Sequence, residues 1–177
     1  MTASDDHAYA TWLEGELRSD HAGETGAVWI YRGVLATRPK AALREFCLRH
    51  LATEERHLEK MNTLLAPKFR SALLPIWRVA GFLTGFLPGC LNDRAVYLTV
   101  SAVETFVQRH YQQQIDHPEL LGYPDIKAIL LACMNDEIEH KDEATELSGS
   151  MNGKLAEGWC ALVGSGSNIA VDLARRY

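Results

Sequence analysis

The chain has 177 residues, a formal net charge of −5, 47% hydrophobic residues and 23% charged ones. That balance excludes an intrinsically disordered chain, and the length suits a single domain over residues 1–177 whose core needs no disulfide staples. The 18 Lys and Arg residues form no basic run, which excludes the electrostatic footprint of a nucleic-acid binder.

Residues 1–20 are polar, without the apolar stretch of a secretion signal. Helical periodicity predicts a first helix from about Asp6 to Thr37. Pro39 stands where a first-turn proline belongs and opens a second helix to about Ala66, which Pro67 stops. Residues 67–91 read as an apolar crossover. Within it, Ala72 to Leu91 has the length of a membrane span but carries Pro75, Arg78 and Pro88, so it reads as a buried or membrane-surface segment and not a span. Asn92 or Asp93 caps a third helix to about Asp116, and His117-Pro118 breaks it. Pro124 and Asp125 open a fourth helix to about Leu147, ended by the Ser148-Gly149-Ser150 turn. A last helix covers about Lys154 to Arg176, weakened by Gly164 and Gly166. Strand-like alternation is absent. Short links within each helix pair and one long link between pairs predict an all-α, ferritin-like four-helix bundle with a long crossover and an extra C-terminal helix.

Cys47, Cys90, Cys133 and Cys160 are far apart and form no C-x-x-C pair. A thiolate zinc or iron–sulfur site is therefore not expected. Four reduced cysteines packed as small hydrophobes fit better and point to a reducing compartment.

The acidic residues carry the chemistry. The second helix holds Glu54-Glu55-Arg56-His57 and the fourth holds Glu137-Ile138-Glu139-His140, two copies of E-x-x-H. Positions i and i+3 lie about 60° apart on a helix, so each Glu–His pair can bind one ion. The first helix adds Glu24, flanked by small residues, and the third adds Glu104 in an apolar setting. Glu24 precedes its E-x-x-H by 30 residues and Glu104 precedes its own by 33. Seven residues after each lone Glu stands a tyrosine, Tyr31 and Tyr111, on the same face as its Glu. The pattern predicts a pseudo-two-fold bundle with a Glu from each of two helices and E-x-x-H from the other two, the ligand set of di-iron and di-manganese carboxylate bundles. Four buried carboxylates without cations would protonate, whereas two divalent ions neutralise them. Oxygen and imidazole donors suit iron or manganese.

One E-x-x-H on a helix is ordinary surface chemistry; two copies, each preceded by an isolated Glu, are not. Glu55, Glu59, Glu139 and Glu143 fall outside the frame and read as solvated faces or supporting groups. His7, His50 and His117 read as surface residues, and His21 stays open. His110 and Tyr111 read as either a core aromatic pair or a catalytic one. Asp20, Asp136 and Asp142 are candidates to orient the ligating histidines. Val28, Val103, Phe106, Val107 and Ile138 are expected around a dry pocket.

Five stretches carry a resemblance: residues 17–33 (LRSDHAGETGAVWIYRG), 54–62 (EERHLEKMN), 73–85 (LLPIWRVAGFLTG), 101–115 (SAVETFVQRHYQQQI) and 135–144 (NDEIEHKDEA). In this order they resemble the demethoxyubiquinone hydroxylase family. The resemblance implies an O₂-dependent monooxygenase that hydroxylates the ring of a polyprenyl quinone with two iron ions. It implies Glu24, Glu54, His57, Glu104, Glu137 and His140 as ligands, and His110 and Tyr111 as a pair near the site. It further implies NADH as reductant and a peripheral place on a membrane surface, either the cytoplasmic side of a bacterial inner membrane or the matrix side of the mitochondrial one. Residues 72–91 would dock there and form an apolar channel. Ubiquinone-synthesis proteins and a second copy of the chain are possible partners. Lys141, Gln112, Gln108 and Asp172 depart from the family pattern; Gln108 and Asp172 are expected to alter the substrate pocket or tail contacts. The rival classes are a ferritin-like ferroxidase or peroxide-detoxifying protein, a di-iron oxygenase for another lipid or aromatic, and a non-catalytic partner in quinone synthesis.

Overall fold

The computed structural model describes residues 9–149 and 153–177. Asp6 and His7, and Ser150 of the expected turn, lie outside them. Six α-helices follow in order: α1 (Thr11–Ala36), α2 (Ala41–Leu64), α3 (Leu74–Gly89), α4 (Asp93–Ile115), α5 (Pro124–Ser148) and α6 (Lys154–Ala174). No strand occurs among the described residues. The fold is a ferritin-like helical bundle: α1, α2, α4 and α5 surround the core, and α3 and α6 lie against its flank.

The helix ends follow local chemistry. Arg38 adopts a left-handed φ of 57°, closing α1, and Pro39 cannot extend it. Pro39 precedes the α2 N-cap, Lys40, so it lies two residues before the first turn it is expected to open. The Asn92 side chain accepts a hydrogen bond from the Ala95 amide at 2.9 Å and so caps α4. Pro124 occupies the first turn of α5, where its missing N–H costs nothing.

Each long helix repeats one layout along its inward face. Leu13 and Leu17 of α1 pack with Met61, Leu65, Tyr111, Ile115, Leu130 and Cys133 at one end of the bundle. Tyr31 and Val34 pack with Leu43, Phe46, Cys47, Val96, Val100 and Ala144 at the other. Between these two apolar clusters, the same faces carry Glu24, Glu54, His57, Glu104, Glu137 and His140, all buried. The hydrophobic ends therefore clamp a polar middle layer, and burial of a Leu-sized side chain contributes about 1.5–3 kcal/mol to holding it.

The apolar crossover after α2 contains a helix that the sequence reading did not delimit, α3, which packs chiefly on α1. Gly81, Gly85 and Gly89 repeat every fourth residue and permit this approach. A Cβ on Gly81 would meet the Gly26 backbone, one on Gly85 the Ile30 backbone, and one on Gly89 the Thr37 side chain. No described helix is long and apolar enough to cross a membrane. The chain end is tied back by three contacts. The Ala72 amide donates to the Tyr177 carbonyl, Arg18 Nη1 donates to the Arg175 carbonyl at 2.8 Å, and Arg175 Nη2 donates to Glu16 Oε2 at 2.9 Å.

Candidate metal centre

The structure brings all six predicted residues together. Donor atoms of Glu24, Glu54, His57 and Glu137 lie within 4.8 Å of one another, as do those of Glu54, Glu104, Glu137 and His140. Two ion-sized groups thus share Glu54 and Glu137, one from each E-x-x-H. Nδ1 of His57 lies 2.9 Å from Glu137 Oε1, and Nδ1 of His140 lies 3.1 Å from Glu54 Oε1. Each histidine therefore faces the other helix's carboxylate as well as its own.

Electrostatics in the cluster are severe. Burial, reinforced by neighbouring carboxylates, pushes Glu24 and Glu104 well above the usual carboxylate range. Burial also raises Glu54, but His140 and His57 outweigh it and hold that carboxyl at about 2. Burial lowers His140, but Glu137 and Glu54 outweigh it and hold the imidazole at about 9. His57 is raised too, against burial, by Glu137 and Glu54. Without cations the cluster is balanced by protons on its own side chains.

The donor set fits a pair of divalent ions. Glu54 Oε1, both Glu137 carboxylate oxygens and Nδ1 of both His57 and His140 are buried without a hydrogen-bond partner. Unsatisfied buried polar atoms are rare in folded proteins, and here they converge on one layer. Four carboxylates supply −4 against +4 from two divalent ions, and carboxylate with imidazole suits iron or manganese.

A cavity of about 390 Å³ ends on this layer. Glu24, Glu54, Glu104, Glu137, His110 and Tyr111 line its inner end. Val103, Phe106 and Val107 of α4 line it as expected, and Trp77, Ala80 and Thr84 of α3 form one wall. Val28 and Ile138 do not line it; Val28 is buried in the interior, and Ile138 packs on the apolar cluster around Leu130. The second wall is α6, through Trp159, Leu162, Val163, Ala170 and Val171. Sequence reasoning gave α6 no role beyond that expected of Asp172. Its apolar residues recur at helical spacing, but that signal does not say which face of the bundle they cover.

His110 is buried beside Ser19 at 3.1 Å and Asp20 at 3.2 Å. The Tyr111 hydroxyl donates to Glu24 Oε1, while that of Tyr31 lies 3.5 Å from Glu104 Oε1. Each tyrosine thus reaches the lone Glu of the opposite half, not the one on its own helix. Of the three candidate aspartates, Asp136 is the one beside a histidine of the donor cluster: its Oδ2 lies 2.9 Å from Nε2 of His57. Asp20 instead accepts from Gln114 Nε2 at 2.7 Å, and Asp142 pairs with Lys141 on the surface.

His50 corrects the sequence reading. It is buried, not on the surface, because it lies seven residues before His57 and shares its inward face. It packs between Phe46, tilted against it, and His140, edge-on to it, each with ring centroids 4.1 Å away, and its Nε2 meets Glu143 at 2.9 Å. His21 is buried and bonded to Asn62, outside both groups of donor atoms. His117 is half-buried and stacks on Trp12. Glu55, Glu59 and Glu139 are exposed as expected. Two departures meet each other: Lys141 Nζ donates to Gln108 Oε1 at 2.8 Å, which ties α5 to α4. Asp172 pairs with Arg175 at 3.3 Å. Neither Gln108 nor Asp172 lines the cavity, which corrects their expected role in the pocket.

Fold and site together define a ferritin-like helical protein with a buried carboxylate–imidazole cluster of metal-binding type at the end of an apolar cavity. The model of the family described as ubiquinone biosynthesis protein COQ7 matches residues 11–174. The chain belongs to that family. It is 37% identical over 142 residues to a 3-demethoxyubiquinol 3-hydroxylase of Rhodospirillum rubrum, covering 77% of this chain and 66% of that protein. It is 33% identical over 172 residues to the NADPH-dependent 3-demethoxyubiquinone 3-hydroxylase, mitochondrial, of Dictyostelium discoideum, covering 93% and 77%. The human protein of the same name is 29% identical over 171 residues, covering 90% and 76%.

Proposed function

We propose that this chain hydroxylates the ring of a demethoxyubiquinone-type polyprenyl quinone with O₂ in ubiquinone biosynthesis. The observation that carries the reading is an apolar cavity that reaches the donor cluster through its four carboxylates, Glu24, Glu54, Glu104 and Glu137. The balance is one ring C–H, one O₂, two electrons and two protons giving one C–OH and one water. A reduced nicotinamide dinucleotide supplies the electrons: NADH on the family resemblance, NADPH in the names of the mitochondrial relatives.

Glu24, Glu54, His57, Glu104, Glu137 and His140 would hold two iron ions, which when bound supply the redox chemistry that reduces O₂. The remaining residues act on the substrate and its surroundings. Val103, Phe106 and Val107 keep the inner cavity dry, which strengthens every charge interaction there. Tyr111 orients Glu24 through its hydroxyl. His110 lines the cavity wall, and its Nε2 is held by Ser19 and Asp20, which fixes the ring beside the place the substrate would take.

The polyprenyl tail needs an apolar way in. Ile76, Val79, Leu83 and Leu87 of α3 and Leu162 and Ile169 of α6 are 45–62% exposed. These two helices also wall the cavity, so their bare apolar faces flank it. A membrane surface fits such a patch, with the tail drawn directly from lipid. On this reading the protein sits peripherally on the quinone-bearing membrane. Flotation with liposomes tests it: the double variant Leu83→Glu, Leu87→Glu is expected to stay in the dense fraction, and equal flotation with the wild type refutes docking by α3.

The reaction is tested by loading the protein anaerobically with Fe(II), then adding a short-tailed demethoxyubiquinone, ¹⁸O₂ and NADH or NADPH. A quinone product carrying one labelled oxygen is expected. Oxidation of Fe(II) without labelled quinone would instead support the ferroxidase reading.

A further inference from the structure

The cluster is symmetric in its inner donors. Each position has one unshared Glu, one His and a share of Glu54 and Glu137. The groups behind those donors are not symmetric. Nε2 of His57 is held by the Asp136 carboxylate at 2.9 Å. Nε2 of His140 has no hydrogen-bond partner among the described residues, and its ring is backed by His50 through packing. In the repeat of the two halves, Thr53 corresponds to Asp136, yet its hydroxyl accepts from Arg56 at 2.9 Å on the surface. The tyrosines differ in the same sense. Tyr111 donates a hydrogen bond to Glu24, whereas Tyr31 reaches Glu104 only at 3.5 Å.

Both differences favour one side. A carboxylate behind a ligating imidazole fixes its tautomer, orients the ring and strengthens the donor. A hydroxyl bonded to one carboxylate oxygen restricts the rotation of that carboxylate before any ion arrives. We propose that the two ion positions are inequivalent: the Glu24–His57 position fills first and holds its ion more tightly than the Glu104–His140 position. Asp136 and Tyr111 are the positioning residues that set the difference. Loss of such an outer partner typically costs about 10–100-fold in metal affinity, which is the expected gap between the positions. The inference rests on the two-ion reading above.

The test is anaerobic titration of metal-free protein with Fe(II), followed by calorimetry, and with Mn(II), followed by electron paramagnetic resonance. The wild type is expected to take two ions, with an isolated Mn(II) signal at one equivalent that gives way to a coupled pair at two. Asp136→Asn is expected to weaken the first binding step by about 10–100-fold. Tyr111→Phe is expected to weaken the same step, and Tyr31→Phe to leave it unchanged. The Asp136 side chain is 41% exposed, so its replacement is compatible with folding, which circular dichroism checks. Equivalent positions behave differently: the first ion would move to the intact His140 position, and Asp136→Asn would lower the first step only by the statistical factor for losing one of two equal choices. That result, or an equal loss in Tyr31→Phe, overturns the inference while leaving the two-ion reading in place. A wild type that binds neither metal overturns both.

Discussion

Replacing Gly85 by alanine tests how α3 is held against the bundle. A Cβ built there lies 2.8 Å from the Ile30 carbonyl carbon and nearer still to its oxygen, where ordinary contact begins at 3.4 Å. The obstructing atoms are backbone, so no rotamer change relieves the clash, and α3 must withdraw from α1 by more than an ångström. Overpacking of this kind costs about 1–3 kcal/mol, and the rigidity of both partners places it at the upper end. The better helix propensity of alanine returns about 1 kcal/mol. The net loss of ~2 kcal/mol corresponds to a Tm lower by about 4–8 °C for a chain of this size. Gly158→Ala is the control, because a Cβ there meets nothing within 4 Å. It should raise Tm by about 2–4 °C from propensity alone. Thermal melts by circular dichroism measure both. Because α3 also walls the cavity, Gly85→Ala should raise KM for the quinone more than it lowers kcat. A Gly85→Ala Tm at or above wild type, with Gly158→Ala showing its gain, would refute the close α1–α3 approach.

Other perturbations separate the parts of the proposal. Glu104→Ala should reduce Fe(II) stoichiometry from two ions to one and abolish hydroxylation, read by calorimetry and by the labelled-oxygen assay; full stoichiometry would remove Glu104 from the ligand set. Fe(II) at a hundred times Kd should stabilise the metal-free protein by about 2.7 kcal/mol per ion, a Tm gain of roughly 5–10 °C for one ion. An unshifted melt would argue against binding to the folded state. Burial pushes the Cys47 and Cys133 thiols up to about 12, while Cys90 is exposed. A thiol reagent followed by mass spectrometry should therefore label Cys90 first and reach Cys47 and Cys133 only on unfolding. Fast labelling of Cys133 in folded protein would show that the apolar end of the bundle opens.

Every helix but α3, and the identity of the clustered residues, were legible in the chain because both are written at short range. Caps, prolines and the 3.6-residue period set the helix limits to within a few residues, and E-x-x-H places a Glu and a His on one face whatever packs opposite. The repeat of a lone Glu before each E-x-x-H then pointed to a single shared layer. What faced that layer from behind was not legible. His50 looked like a surface residue until the bundle placed it against His140. Tyr31 and Tyr111 share a face with their own Glu, yet each hydroxyl meets the Glu of the other half. The α6 wall, the Lys141–Gln108 link and the Asp136 contact to His57 likewise join residues far apart in sequence. The local sequence determined which donors exist and which face of each helix they occupy. Only the tertiary structure decided their partners, because the register and rotation of one helix against another are set by packing, here by the glycine contacts of α3 and the two apolar clusters that clamp the polar layer.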